Sequence, residues 1–247
     1  MGKNKLAKWA EMATFSNVIE PASGELSWKD HPLKGKWHTE IFHNSNPVIL
    51  ELGCGKGEYT VGLATMFPDN NYIGVDIKGA RMWRGAKTAF ENKMPNVAFL
   101  RTRIEFINSY FADNEVDEMW ITFPDPHPGK PNSGKRLTSP WFLNTYSNFL
   151  KDQGIIHLKT DNTDLFNYTK KLVELNKLPV IFVSNDLHTD KPDDEILSIR
   201  THYEKLFLNE GSKINYLSFR LLKNRKIEDD QVVNFHERYW DSSAELK

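Results

Sequence analysis

Cysteine is almost missing from this chain: Cys54 stands alone among 247 residues. That excludes a disulfide framework and a thiolate metal cage, and it suits a reducing compartment. No apolar run approaches the roughly 20 residues needed to cross a bilayer. The opening stretch MGKNKLAKWAEMATF is basic without an unbroken apolar segment, and Leu6 stands where a myristoylation signal wants Ser or Thr, so neither leader nor lipid anchor is expected. A dominant charge is missing too, since 32 Lys and Arg face 33 Asp and Glu. Any binding to a polyanion must therefore come from uneven placement of charge. Internal repeats and low-complexity tracts are also lacking. These absences point to a cytoplasmic chain with no membrane association and no metal site, long enough for one sizeable core.

What is present is alternation. Strand-length apolar runs at 47–52, 71–76, 96–100, 117–123, 154–160, 178–184 and 214–222 are separated by segments of helical periodicity at 58–67, 78–93, 140–150 and 164–176. Strands separated by helices predict an α/β fold with a doubly wound, mostly parallel seven-stranded sheet. The last two strands lack a helical crossover of that kind, so an antiparallel pair at one edge is expected. Residues 48–222 form the expected domain, with residues 1–47 as an N-terminal arm and lid-like extension and residues 223–247 as a C-terminal extension. Ser139 before Pro140, and Asn162 or Thr163 before Asp164, are candidate helix caps. Charge is unevenly placed: Lys78, Arg81, Arg84, Lys87, Lys93, Arg101 and Arg103 face Glu91 alone. Four of these recur every three residues, which suggests a stripe along a helix able to track phosphates.

LELGCGKGEYT, residues 50–60, places Gly53, Gly55 and Gly57 at the turn from the first predicted strand into the first helix. Glycines there permit positive φ and close approach of backbone to a ligand, and the helix start offers unpaired N–H groups. A phosphate-binding GxxxxGK[ST] is absent, and the third glycine comes one residue too early for a dinucleotide fingerprint. An acidic residue before GxGxG resembles the S-adenosylmethionine turn of class I methyltransferases. Glu51 then suits the ammonium of the ligand's amino acid moiety, Gly53 and Gly55 the close backbone approach, and Asp76 the ribose hydroxyls.

FPDPHPGKPNSGKRLT, residues 123–138, carries four prolines between Phe123 and Pro131. Prolines bias the residues before them toward extended backbone, so Phe123, Asp125, His127 and Lys130 are expected in a stiff, non-helical track. The track leaves the fourth predicted strand, where Asp125 would face the cofactor, and the basic residues after it could grip a polyanion. Together with IHLKTDN (156–162), VSNDLH (183–188) and THYEKLF (201–207), these blocks resemble the bacterial tRNA (guanine-N7)-methyltransferase family, from about Lys5 to about Leu222. The resemblance implies S-adenosyl-L-methionine as donor and N7 of a guanine in the tRNA variable loop as acceptor, in a monomer or a homodimer. It makes Asp125 the active-site carboxylate, Glu51 and Asp76 cofactor residues, and Asp161 with Thr201, His202, Tyr203 and Glu204 substrate residues. Two positions depart from its pattern. Arg103 stands where an Asp or Asn near the adenine is usual, a contact Glu105 or a backbone group could supply, and Gly129 replaces a lysine, whose substrate contact Lys130 beside it or Lys135 could make.

Guanine N7 carries a lone pair at neutral pH, so its methylation needs alignment and electrostatic support rather than a general base. His127 could stack on the base or simply pack the loop, Asp161 could hold guanine N–H groups or cap a helix, and Thr201 with Glu204 has capping-box spacing. Trp9, Trp28 and Trp37 suit core or arm packing better than stacking. Two other functions compete: an amino-group methyltransferase, whose motif would place a second proline where His127 stands, and an RNA-binding homologue without catalysis. The KTDN and THYE blocks argue against the first, and obligatory cofactor binding would exclude the second.

Overall fold

The apolar runs become strands because both faces of the sheet are covered; every residue of Val48–Leu52 and of Asn71–Asp76 is buried, as central parallel strands require. The computed structural model describes residues 3–21, 28–197, 199–223 and 225–229. Its strands are β1 (Val18–Ile19), β2 (Val48–Leu52), β3 (Asn71–Asp76), β4 (Val97–Arg101), β5 (Val116–Thr122), β6 (Leu150–Thr160), β7 (Val180–Ser184) and β8 (Asn215–Leu221). The helices are α1 (Lys3–Met12), α2 (Glu58–Met66), α3 (Gly79–Glu91), α4 (Pro140–Tyr146), α5 (Thr163–Leu175), α6 (Leu187–Asp190) and α7 (His202–Asn209).

The strand order is β1-β4-β3-β2-β5-β6-β8-β7. All pairs are parallel except those of β8, which runs antiparallel to both β6 and β7. The seven expected strands form, antiparallel edge included. The eighth, β1, is a two-residue strand from the N-terminal arm that pairs with β4; two residues carry no period for a sequence pattern to reveal. One face of the sheet packs against α4 and α5, with Trp37 and Phe42 of the arm in the same core. The other packs against α2 and α3, with Met12 and Phe15. Trp37 is fully buried, and its indole N–H donates to the Tyr110 carbonyl at 2.8 Å. Beyond β8, Asn144 and Asn176 each exchange two hydrogen bonds with the backbone, of Ile227 and Glu228 respectively. The rest of the C-terminal extension, residues 230–247, lies outside the described residues.

Helix α3 revises the expected stripe. On a helix of 100° per residue, a three-residue spacing drifts by roughly 60° per step, so Lys87 emerges on the side opposite Lys78. There it meets α1: its ammonium lies 2.6 Å from the Glu11 carboxylate, which also accepts the Trp83 indole N–H at 2.8 Å. Lys78, Arg81 and Arg84 stay exposed.

The same helix approaches the glycine turn through Gly85, where a Cβ would sit 2.6 Å from the Lys56 carbonyl and 2.9 Å from the Gly57 Cα. Alanine normally stabilises a helix interior by roughly 0.5–1 kcal/mol over glycine. Here backbone blocks it, so Gly85→Ala should lower the thermal midpoint by roughly 3–8 °C, a net loss of about 1–3 kcal/mol. A raised midpoint in thermal unfolding would refute this close packing.

Candidate active site

After β2 the chain fills one side of the sheet with β3 and β4, then returns to place β5 on the other side of β2. Ligands of open α/β sheets bind beyond the carboxyl ends of the strands at this reversal. The glycine turn leaves β2 here and the proline track leaves β5.

In the turn, Gly53, Gly55 and Gly57 have φ of 71°, 55° and 69°. They differ in purpose. A Cβ on Gly53 would meet nothing within 4 Å, whereas one on Gly57 would lie 2.7 Å from the Phe99 ring. The first glycine faces open space over the strand ends; the third lets helix meet sheet. Asp76 closes the turn from β3, its two oxygens accepting the N–H groups of Gly55 at 2.9 Å and Lys78 at 2.7 Å. Each oxygen keeps a second lone pair. Glu51, only 3% exposed, accepts from the Thr60 N–H at 2.8 Å, from the Thr60 hydroxyl, and from the Thr122 hydroxyl at 2.8 Å. Burial pushes its carboxyl up to about 7, against the pull of those threonine hydrogen bonds. Open space over Gly53 and spare acceptors on Asp76 fit a ligand with vicinal hydroxyls, and Glu51 places an acid beneath the turn.

The proline track departs from the extended path. Phe123 (φ 49°) and His127 (φ 43°) are left-handed, and Lys130 opens a 3-10 turn, Lys130–Lys135, behind Gly129 (φ 81°). Left-handed backbone at non-glycine residues costs of order 1–3 kcal/mol each and persists only where neighbours enforce it. Here the Phe123 N–H donates to the Lys159 carbonyl at 2.8 Å. Farther along, Arg136 donates through Nε to the carbonyls of Pro126 (3.2 Å) and His127 (3.3 Å), its guanidinium 4.3 Å from the centre of the Tyr168 ring. Arg136 is therefore buried and holds the loop, while Lys130 and Lys135 remain exposed. Between the two clamps Asp125 points into solvent. Burial lowers the His127 pKa, only partly opposed by Asp125, so its imidazole is neutral near pH 7.

Asp161, at the end of β6, is half-buried, and burial raises its pKa with Glu210 adding to the rise. The cap of α5 is its neighbour Asn162, which accepts from the Leu165 N–H at 2.8 Å. Thr201 caps α7, accepting from the Glu204 N–H at 3.1 Å. The reciprocal half of the capping box is missing. Glu204 is fully buried, with one oxygen 2.9 Å from the Lys159 ammonium and 3.0 Å from His188 Nε2. The His202 ring is exposed, while the His202 backbone N–H donates to the Glu58 carboxylate at 3.0 Å; the Tyr203 ring centre lies 5.6 Å from the Arg81 guanidinium. The start of α7 thus sits against α2 and α3, beside the glycine turn. Arg103 pairs with Glu105 at 3.1 Å and lies 5.8 Å from the Phe106 ring centre, on the β4 side. Sequence reasoning did not single out Thr60, Thr122 or Lys159. A lysine within a strand-forming run, GIIHLKT, two residues before Asp161, was the signal for the last.

A family model described as "Putative methyltransferase" matches residues 45–217. The chain is 51% identical over 232 residues to the tRNA (guanine-N(7)-)-methyltransferase of Bacteroides thetaiotaomicron, covering 94% of this chain and 91% of that protein. To the enzyme of the same name from Porphyromonas gingivalis it is 53% identical over 213 residues, 85% and 86% of the two chains. Among solved structures, a 16S rRNA methyltransferase superposes with a TM-score of 0.59 at 13% identity, over 78% of this chain and 95% of that one. An antibiotic-related methyltransferase gives 0.57 at 19% identity, over 79% and 97%. At such identities the structural likeness establishes the fold alone, that of the class I methyltransferases.

Glu51 makes stability depend on pH. Its folded pKa exceeds the unfolded one, so its contribution is complete below about pH 4.5 and is lost as pH rises through about 7. Glu51→Gln cannot ionise. Chemical denaturation should show the variant gaining on the parent by up to about 3 kcal/mol between those limits. A difference that stays flat with pH would mean the carboxyl titrates normally.

Proposed function

We propose, from the premise that this chain belongs to the tRNA (guanine-N7)-methyltransferase family, that it methylates N7 of a guanine in the tRNA variable loop, with S-adenosyl-L-methionine as donor. The observation that carries the site assignment is Asp125: an exposed carboxylate on a loop clamped at both ends, beside the reversal in strand order. The donor supplies an electrophilic methyl group on a sulfonium. Asp76 offers its spare acceptors to the ribose hydroxyls, the Gly53–Gly55 turn admits the ligand closely, and the ligand's ammonium favours the ionised form of the Glu51 carboxyl beneath it. Arg103, held by Glu105, borders the adenine end.

Guanine N7 arrives with its own lone pair, so no residue needs to remove a proton. Positive charge grows on the base during transfer, and a carboxylate already fixed nearby stabilises that charge without reorganising. Asp161 and the start of α7 grip the guanine through the exposed His202 ring and Tyr203, while Thr201 caps the helix and buried Glu204 holds that segment in place, with Lys130 on the neighbouring phosphates. We infer a cytoplasmic protein that acts on tRNA as a monomer or a homodimer. Incubation with unmodified tRNA and methyl-labelled donor, followed by nucleoside analysis, tests the reading; label anywhere but guanine N7 would overturn it.

Asp125→Asn keeps shape and removes charge. Single-turnover rates should fall by roughly 10²–10³ with donor affinity nearly unchanged. A near-parental rate would exclude the electrostatic role.

Salt dependence separates the exposed cations from the committed ones. Neutralising Arg84 and Lys130 together should flatten the slope of log affinity for tRNA against log salt by roughly one to two units. Lys87→Gln, whose ammonium is held by Glu11, should leave the slope unchanged. Equal slopes for all three proteins would mean the exposed residues meet no phosphate.

A further inference from the structure

We propose that Lys159 is a positioning residue for methyl transfer, joining the guanine-gripping segment to the strand end from which the proline track leaves. The inference rests on the reading above, in which Asp161 and the start of α7 hold the base. Lys159 is fully buried in β6. Its ammonium can donate three hydrogen bonds and meets three acceptors: the Leu197 carbonyl at 2.7 Å, the Glu204 carboxylate at 2.9 Å and the Ile199 carbonyl at 3.3 Å. Its own carbonyl accepts the Phe123 N–H at 2.8 Å, the bond that starts the proline track in its left-handed turn. Asp161 follows two residues later. One residue therefore touches the root of the Asp125 loop, the approach to α7 and the carboxylate of Glu204.

The approach to α7 needs such an anchor. Residues 191–201 form no helix or strand among those described, so their carbonyls find few backbone partners. Lys159 takes two of them, and the Tyr59 hydroxyl donates to the Ile196 carbonyl at 2.9 Å. Ile199 seats against Gly62, where a Cβ would be 3.1 Å from its methyl. Tyr59 and Gly62 both lie on α2, the helix that follows the glycine turn.

Stability alone is a weak reason for this arrangement. A buried ion pair is often replaceable by apolar residues at no cost to the fold, because desolvation offsets most of the attraction. Apolar side chains could not hold two loop carbonyls at set positions. The second Glu204 oxygen is buried and has no hydrogen-bond partner among the described residues. Lys159 and His188 on the first oxygen therefore fix how that carboxylate is turned.

The test compares four proteins: parent, Lys159→Met, Glu204→Gln and the double variant, each as the full chain with S-adenosylmethionine and unmodified tRNA. Lys159→Met leaves the Glu204 charge buried without its lysine, which is destabilising in itself; the double variant removes both charges. Relative to Glu204→Gln, the double variant should lose a further ~10–100-fold in kcat, while KM for tRNA and Kd for the donor stay within ~3-fold and the protein remains folded at the assay temperature. Equal kcat in those two proteins would overturn the proposal, reducing Lys159 to a counter-charge for Glu204. A double variant that fails to fold, or that loses donor and tRNA affinity together, would overturn it as well by making the role structural. Failure of the underlying reading looks different: the parent itself would leave guanine N7 unmethylated.

Discussion

Glu51 accepts hydrogen bonds from Thr60 on α2 and from Thr122 on β5, so one buried carboxylate spans the seam at which the strand order reverses. Thr122 is the last residue of β5 and Phe123 begins the proline track. The glycine turn runs between Glu51 and Thr60. Holding those threonines therefore sets the distance between the two loops that build the site, and it does so from below, where water does not reach. An acid in that position is costly, which its raised pKa expresses. The cost is tolerated because three donors converge on it.

Above this seam the site is stiff by construction. The prolines limit φ, but they do not choose the path; the left-handed turns at Phe123 and His127 are imposed by the Lys159 carbonyl at one end and by Arg136 at the other. Strain stored in this way keeps Asp125 in place with no side-chain hydrogen bond among the described residues, which under the proposed function leaves its charge to the reacting base. Because electrostatic stabilisation depends on dipoles and charges set in place beforehand, a loop that cannot relax is worth more than one with a stronger acid.

Much of this was legible in the sequence. Runs such as NYIGVD announced their strands because central parallel strands are apolar on both faces, and Asp76, Asn162 and Thr201 sit where their capping or turn chemistry places them. What escaped depends on tertiary partners. Arg136 follows two exposed cations in a basic run yet turns inward to carbonyls nine and ten residues away. Lys87 fits the stripe by spacing, but helical drift carries it to Glu11 on α1. Glu204 has capping-box spacing and uses its carboxylate on Lys159 of another element. In each case a local pattern was present, and a long-range ion pair or hydrogen bond decided where the charge went.

Under the proposed function, guanine N7 meets the donor methyl group between the glycine turn of β2 and the clamped Asp125 of β5. A structure of the chain bound to S-adenosylhomocysteine and its tRNA tests this most directly. The expected complex has ribose hydroxyls on Asp76, the sulfur above the Gly53–Gly55 turn, and a guanine unstacked from the RNA with N7 toward that sulfur and Asp125 beside its ring. A target base bound away from Asp125, or a donor seated outside the β2–β5 reversal, would contradict it.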